Sequence, residues 1–274
     1  MTTHQELAEV YMDQPHEISL ETISLCNAAC TFCPYPTLDR KGDKMPDELV
    51  EKIISEMEGF TIPFFFSPFK VNEPLLDKRL YDICNEVTSR TVAMLRIFSN
   101  GAALTQRHID RLAKLERVFH FWVSLNSVDP EEYEQLMDMP YERTAKRLDN
   151  LHAQEFPHPV VLSKVGNMDY GFIRYIKRRW PKFHTVIIKK DGWLGDVEPN
   201  DPTIPDDSCS RWFELSIISS GVVSLCCMDG QARFPIGDCR ESTLLEIYNA
   251  PHWRDRRENL SSRHTIDVCK TCTY

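Results

Sequence analysis

The sequence predicts an α/β fold, a partial (β/α)6 TIM-like barrel followed by a small C-terminal domain made of a β-hairpin and a helix. Strand and helix patterns alternate from residue 18 to residue 189, an acidic, proline-rich stretch follows, and a hairpin pattern lies beyond it.

Residues 18 to 24 alternate weakly and read as a strand running into a cysteine-rich loop. Pro46 to Met57 carries apolar residues at helical spacing, with Pro46 suited to a first turn. The aromatic run Ile62 to Phe66 predicts a buried strand, and a helix is expected from about Asp77 to Ser89. Met94 to Phe98 is the next strand, closed by Ser99-Asn100-Gly101, and Thr105 to Leu115 the next helix. Strand Val118 to Leu125 and helix Tyr141 to Glu155 repeat the unit. Val160 to Val165 and Thr185 to Lys189 complete the strands, around a helix near Asp169 to Arg179. About six units fit, too few for an eight-unit barrel, and such units gather their loops at one end of a parallel sheet.

The stretch Asp196 to Asp207 is rich in Asp and Pro and reads as a solvated linker. The expected division is therefore a barrel over 1–195, a linker over 196–206 and a small domain over 207–274. In the last part, Trp212 to Ile218 and Val222 to Cys226 flank Ser219-Ser220-Gly221 as a hairpin, and Leu244 to Leu260 is one helix.

Of the 274 residues, 42% are hydrophobic and 27% charged, ordinary values for a folded domain. The net charge of -9, from 41 acidic and 32 basic residues, argues against a nucleic-acid partner. It allows a cationic substrate without requiring one. The N-terminus lacks a basic segment followed by an apolar run, and Ile62 to Phe69 is too short to span a bilayer. A cytoplasmic protein without a membrane partner is expected. In a reducing compartment the 10 cysteines are poor disulfide candidates, and all but Cys84 fall in two groups.

Cys26, Cys30 and Cys33 follow the first predicted strand. Three thiolates can hold three irons of a cubane cluster and leave the fourth open, whereas structural zinc asks for a fourth protein ligand. No histidine offers itself nearby; His16 lies beyond the strand. The Cys-x3-Cys-x2-Cys spacing, with Phe32 just before the last cysteine, resembles the radical S-adenosylmethionine (SAM) superfamily. The resemblance implies a [4Fe–4S] cluster whose open iron chelates SAM. One electron then cleaves the sulfonium, and the 5′-deoxyadenosyl radical takes a hydrogen atom from substrate. Phe69-Lys-Val-Asn72-Glu73-Pro74 resembles the family's Gly-Gly-Glu-Pro segment, which receives the methionine amino group. Val71 and Asn72 replace its two glycines. Ser99, Asn100, Ser124 and Asn126 stand where family members contact the nucleotide, and each reads equally as a turn cap. Lys164, Asn167 and Lys189 are placed near the same cavity mouth or in solvent.

Cys209 and Cys227 bracket the hairpin, and Cys269 and Cys272 follow the last helix. Together they offer four thiolates, a complete shell for a second [4Fe–4S] cluster or for zinc. The pattern, with Gly221 ahead of Cys226-Cys227, resembles the twitch domain, a reduced form of the SPASM domain. Cys226 reads as a buried hydrophobe or as an alternative ligand to Cys227, because neighbouring strand residues face opposite ways. The resemblance places Cys239 in a loop approaching substrate, where a thiol could return a hydrogen atom; it reads otherwise as a core cysteine.

A complete auxiliary shell implies electron transfer rather than substrate binding. The leading expectation is oxidation of a secondary alcohol on a small sugar or aminocyclitol-type substrate, a cationic amino sugar among the candidates, in natural-product (antibiotic) biosynthesis. The resemblance also implies a flavodoxin or ferredoxin as reductant. Alternatives are epimerisation with a cysteine hydrogen donor, modification of a ribosomal peptide, and a non-catalytic redox carrier. Asp191, Asp196, Arg211 and Glu214 are candidates for the proton acceptor.

Overall fold

A computed structural model describes residues 3–274 and contains one continuous nine-stranded sheet. Its first part runs α1 (His4–Tyr11), β1 (Glu17–Leu20), α2 (Asp47–Met57), β2 (Phe65–Ser67), α3 (Leu80–Arg90), β3 (Met94–Ser99) and α4 (Gln106–Leu112). Then come β4 (Val118–Ser124), α5 (Pro130–Met137), α6 (Tyr141–His152), β5 (Val160–Val165), α7 (Tyr170–Arg179) and β6 (His184–Ile188). The last part holds β7 (Glu214–Ile217), β8 (Val222–Ser224), β9 (Pro235–Asp238), α8 (Leu244–Tyr248) and α9 (Pro251–Asn259).

Strands β1 to β6 are parallel neighbours in sequence order, as six β/α units dictate, and β6 does not close onto β1. Period-two alternation divides the sheet into two chemical faces. Ile18, Leu20, Phe66, Leu95, Ile97, Phe121, Val123 and Leu162 belong to the buried apolar core, together with residues of the surrounding helices. The intervening Glu17, Ser19, Ser67, Phe98, Trp122, Ser124 and Ser163 face a cavity instead. Each strand thus builds the core with one set of side chains and the site with the other.

The hairpin extends this sheet. β7 pairs in parallel with β1, from Glu17↔Glu214 to Leu20↔Ile217, and β8 and β9 follow antiparallel. Ile217, Val223, Leu244, Ile247 and Tyr248 share the core that contains Ile53 and Leu95. Residues 196–206 form neither helix nor strand. The β7–β8 turn needs Gly221, whose φ is +94° and where a Cβ would stand 2.8 Å from the Leu49 side chain.

The expected helix Leu244 to Leu260 is two helices. Pro251 opens the second, and Ala250 before it is extended at φ -52°, ψ 134°, because a proline ring excludes the helical conformation from the preceding residue. Three elements were not anticipated, α1, α5 and β9. Two of them carry start signals: the Thr3/Glu6 capping box of α1, and Asp129, which accepts from the Glu132 amide ahead of Pro130 in α5. Among the described residues no helix is long and apolar enough to cross a membrane.

Candidate functional site

The loops after β1 and β2 and the ends of β3 to β6 surround a cavity of about 310 Å³. That is within the range of small-molecule pockets, about 300–1,000 Å³. Cys26, Cys30, Cys33 and Phe32 all line it. α5 fixes their loop: the Ala29 and Thr31 amides donate to the carbonyls of Met137 (3.2 Å) and Leu136 (2.9 Å). Cys30 Sγ lies 3.7 Å from Met137 Sδ, and Asn100 Nδ2 lies 3.8 Å from Cys26 Sγ. Burial pushes the Cys26 thiol up to about 12 and the Cys33 thiol up to about 11, so the thiolates would need positive charge, such as that of iron, to be favoured there. Three soft donors on one wall of a ligand-sized cavity fit a cluster with an open iron.

Asn72, Glu73, Ser99, Asn100 and Ser124 line the same cavity. The Glu73 carboxylate is held by its own chain. It accepts from Ser99 Oγ at 2.9 Å, the Asn100 amide at 2.6 Å and the Leu75 amide at 3.1 Å, and burial pushes its pKa up to about 7. Glu73 therefore ties the second-strand loop to the end of β3. Asn72 uses its Oδ1 to accept from the Lys70 amide, while its buried Nδ2 has no partner among the described residues. The cavity wall thus holds a buried, unused N–H donor where the resembling segment has glycine.

Asn126 and Lys164 do not line the cavity. Asn126 is fully buried with φ at 66°; its Nδ2 donates to Ser124 Oγ (2.9 Å) and its Oδ1 accepts from the Val165 amide (3.0 Å), joining β4 to β5. On β5, Ser163 and Val165 face inward, so alternation turns Lys164 outward to Asp169 (3.0 Å) and Glu132 (3.2 Å). Lys189 donates to the Thr273 carbonyl at 2.7 Å, and Asn167 accepts from Asn200. Of the four proton-acceptor candidates only Arg211 lines the cavity; Glu214 pairs with it at 2.9 Å.

A second, smaller cavity is lined by Cys209, Cys226, Cys269 and Cys272, with Arg211, Arg263, Met228 and Tyr274. Cys227 lines the larger cavity instead, so the structure groups Cys226, not Cys227, with the other three. The turn after β8, closed by the Asp229 amide on the Cys226 carbonyl (3.2 Å), sends the two side chains different ways. Four thiols around one small cavity suit a fully ligated cluster. Cys239 lines neither cavity: it is fully buried in the core, and its carbonyl accepts from Lys52 of α2 at 2.7 Å. Packing against α2 removes it from the position expected beside substrate.

Two features were not legible beforehand. Glu21, fully buried, accepts from Arg40 Nε and Nη2 (2.9 Å each), Ser24 Oγ (2.7 Å), and the Val71 and Ser219 amides (3.2 and 3.4 Å). It joins the cysteine loop, the second-strand loop and the hairpin. Lys70, 2% exposed, reaches from the cavity to Ser216 Oγ, Ser224 Oγ and the Cys226 carbonyl. A charged residue inside an apolar strand pattern carries no sign of burial until its partners are known.

The model of the radical SAM superfamily matches residues 20–168, over half of the chain, and that of the SPASM iron–sulfur cluster-binding domain matches residues 209–273. No curated protein matches the chain. Among solved structures, BtrN in complex with AdoMet and 2-DOIA is 18% identical, with a TM-score of 0.68 over 94% of this chain and 93% of that one. Streptococcus suis SuiB bound to the precursor peptide SuiA is 15% identical, with a TM-score of 0.70 over 95% and 71%. AnSMEcpe with bound AdoMet and the Cp18Cys peptide is 13% identical, with a TM-score of 0.63 over 89% and 81%. At these identities the likeness is one of fold. The two domains imply SAM and two [4Fe–4S] clusters as cofactors, and an enzyme that generates a 5′-deoxyadenosyl radical. The chain belongs to the radical SAM superfamily and carries a C-terminal SPASM iron–sulfur domain.

Proposed function

We propose that the protein oxidises a secondary alcohol of a small sugar or aminocyclitol-type substrate to a ketone. The observation that supports this best is the contact between its two cavities: Arg211 and Met228 line both, so a complete four-cysteine site adjoins the space open to substrate. In this reading Cys26, Cys30 and Cys33 hold the first cluster, and Cys209, Cys226, Cys269 and Cys272 the auxiliary one. The cofactors supply a hydrogen-abstracting radical on one side of the cavity and an electron acceptor on the other. Converting the alcohol to a ketone removes one hydrogen atom, one proton and one electron.

The chain's own residues do the rest. Asn72 Nδ2 donates to an oxygen of bound SAM, while Glu73, Ser99 and Asn100 fix the loops around it. Phe32, Phe98 and Trp122 exclude water and pack against ligand, and Ser124 offers a hydroxyl at the end of β4. Arg211, which lines the cavity and whose buried Nε has no partner among the described residues, donates from its guanidinium to a substrate oxygen. A flavodoxin or ferredoxin is the proposed reductant.

Epimerisation is the second reading, and Cys227 is the observation that favours it, as a thiol on the substrate cavity outside the four-cysteine group. Anaerobic turnover of a panel of sugars and aminocyclitols separates the two. Loss of two mass units with one 5′-deoxyadenosine per product supports the dehydrogenase. An unchanged mass in ordinary water, with one deuterium gained in heavy water, overturns it in favour of epimerisation.

A further inference from the structure

Three buried or largely buried cations stand near the auxiliary cysteines, and two of them have carboxylate partners. Arg211 pairs with Glu214 and Arg263 with Asp207, both at 2.9 Å. Lys70 has none among the described residues. Its three contacts are Ser216 Oγ at 2.9 Å, Ser224 Oγ at 2.8 Å and the Cys226 carbonyl at 3.1 Å. Ser224 Oγ directs its own hydrogen at the Ser216 and Cys226 carbonyls and so accepts from Lys70, and the Cys226 carbonyl can only accept. Three oxygens match the three donors of an ammonium. The nearby carboxylates are otherwise engaged, Glu21 by Arg40 and Asp229 by the amides of Arg233 and Phe234.

A buried ammonium without a counter-ion is costly unless an anion completes its surroundings. One of the three groups that Lys70 touches is the backbone of Cys226, one of the four cysteines around the smaller cavity. Four thiolates around a [4Fe–4S] core leave net negative charge there in both oxidation states, one unit more when reduced. We infer that Lys70 is the counter-charge of the auxiliary cluster, delivered by the loop after β2, and that it raises the potential of that cluster. A fixed positive charge stabilises the more negative, reduced state, so Lys70 favours electron acceptance from the substrate side. This last role rests on the dehydrogenase reading; the electrostatic one does not.

The test is a potentiometric titration of the full-length, reconstituted protein, followed by electron paramagnetic resonance. The auxiliary couple is isolated by changing Cys26, Cys30 and Cys33 to Ala. Lys70→Met is expected to make electron acceptance at least about tenfold less favourable, which is about 59 mV for one electron, while Lys70→Arg stays near the parent value. An unshifted couple in Lys70→Met overturns the inference, as does an equal shift in Lys70→Arg. If Lys70→Met loses the cluster, Lys70→Gln, which keeps a donor but no charge, gives the same reading. Loss of the cluster in both neutral variants and its retention in Lys70→Arg supports the inference; loss in all three overturns it. The titration needs no substrate, so its failure is distinct from a failure of the dehydrogenase assay.

Discussion

Cys226 and Cys227 are consecutive in the chain, yet Cys226 faces Cys209, Cys269 and Cys272 while Cys227 faces the cavity of the N-terminal cysteine triad. The two thiols are therefore expected to have separable roles. Cys226→Ser is expected to lower the iron content of reconstituted protein from about eight to about four per chain. Cys227→Ser is expected to keep both clusters. Iron and sulfide analysis with absorption spectra checks this, and the opposite pattern would restore Cys227 as the ligand. Under the epimerase reading, Cys227→Ser would still form 5′-deoxyadenosine but no inverted product.

Glu21 and Arg40 form a two-pronged ion pair whose carboxylate is fully buried. Removing one partner leaves the other charge desolvated, which costs about 3–5 kcal/mol. Glu21→Ala is expected to lose stability of that order in urea unfolding followed by circular dichroism. Because Glu21 also holds the Val71 and Ser219 amides, the cysteine-rich loops should open to proteolysis at the same time.

Asn72 lines the cavity wall, and its buried Nδ2–H has no partner among the described residues. Asn72→Ala is expected to weaken SAM binding by about 1 kcal/mol, roughly fivefold in Kd. Asn72→Asp should weaken it further, since a carboxylate there has no hydrogen to donate and repels the methionine carboxylate. Equilibrium dialysis with reconstituted protein reads both, and unchanged affinity in Asn72→Ala removes the residue from the site.

His120 on β4 is buried beside Arg96 and the rings of Phe98 and Trp122, and its Nε2 has no partner among the described residues. Burial, with help from Arg96, pulls its pKa down from 6.5 to about 4. The unfolded chain then binds more protons than the folded one between these values, so stability falls as the pH drops from 6.5 towards 4. His120→Gln should flatten that part of the pH dependence of unfolding, and an unchanged slope would place the acid sensitivity elsewhere.

Much of the fold could be read from local chemistry. Val160 to Val165 is the strand expected, and Met94 to Ser99 alternates between buried and half-buried residues as a two-faced strand should. Boundaries failed where a single residue overrode the pattern, as Pro251 does within the apolar periodicity that ends at Leu260. That Cys26, Cys30 and Cys33 share one cavity could be anticipated, because three cysteines within eight residues of one loop lie close together. The choice between Cys226 and Cys227 could not, because alternation says that neighbours diverge without saying which way. Lys164 and Cys239 were misplaced for a related reason: their positions depend on strand phase and on packing against α2, both set by distant residues.

The parallel pairing of β7 with β1 gives the last seventy residues a duty unrelated to iron. They cover the backbone of the strand that feeds the cysteine triad. A chain cut before β7 would bare that edge as a ready template for intermolecular pairing. Such a fragment should aggregate before it could be tested as a minimal radical enzyme.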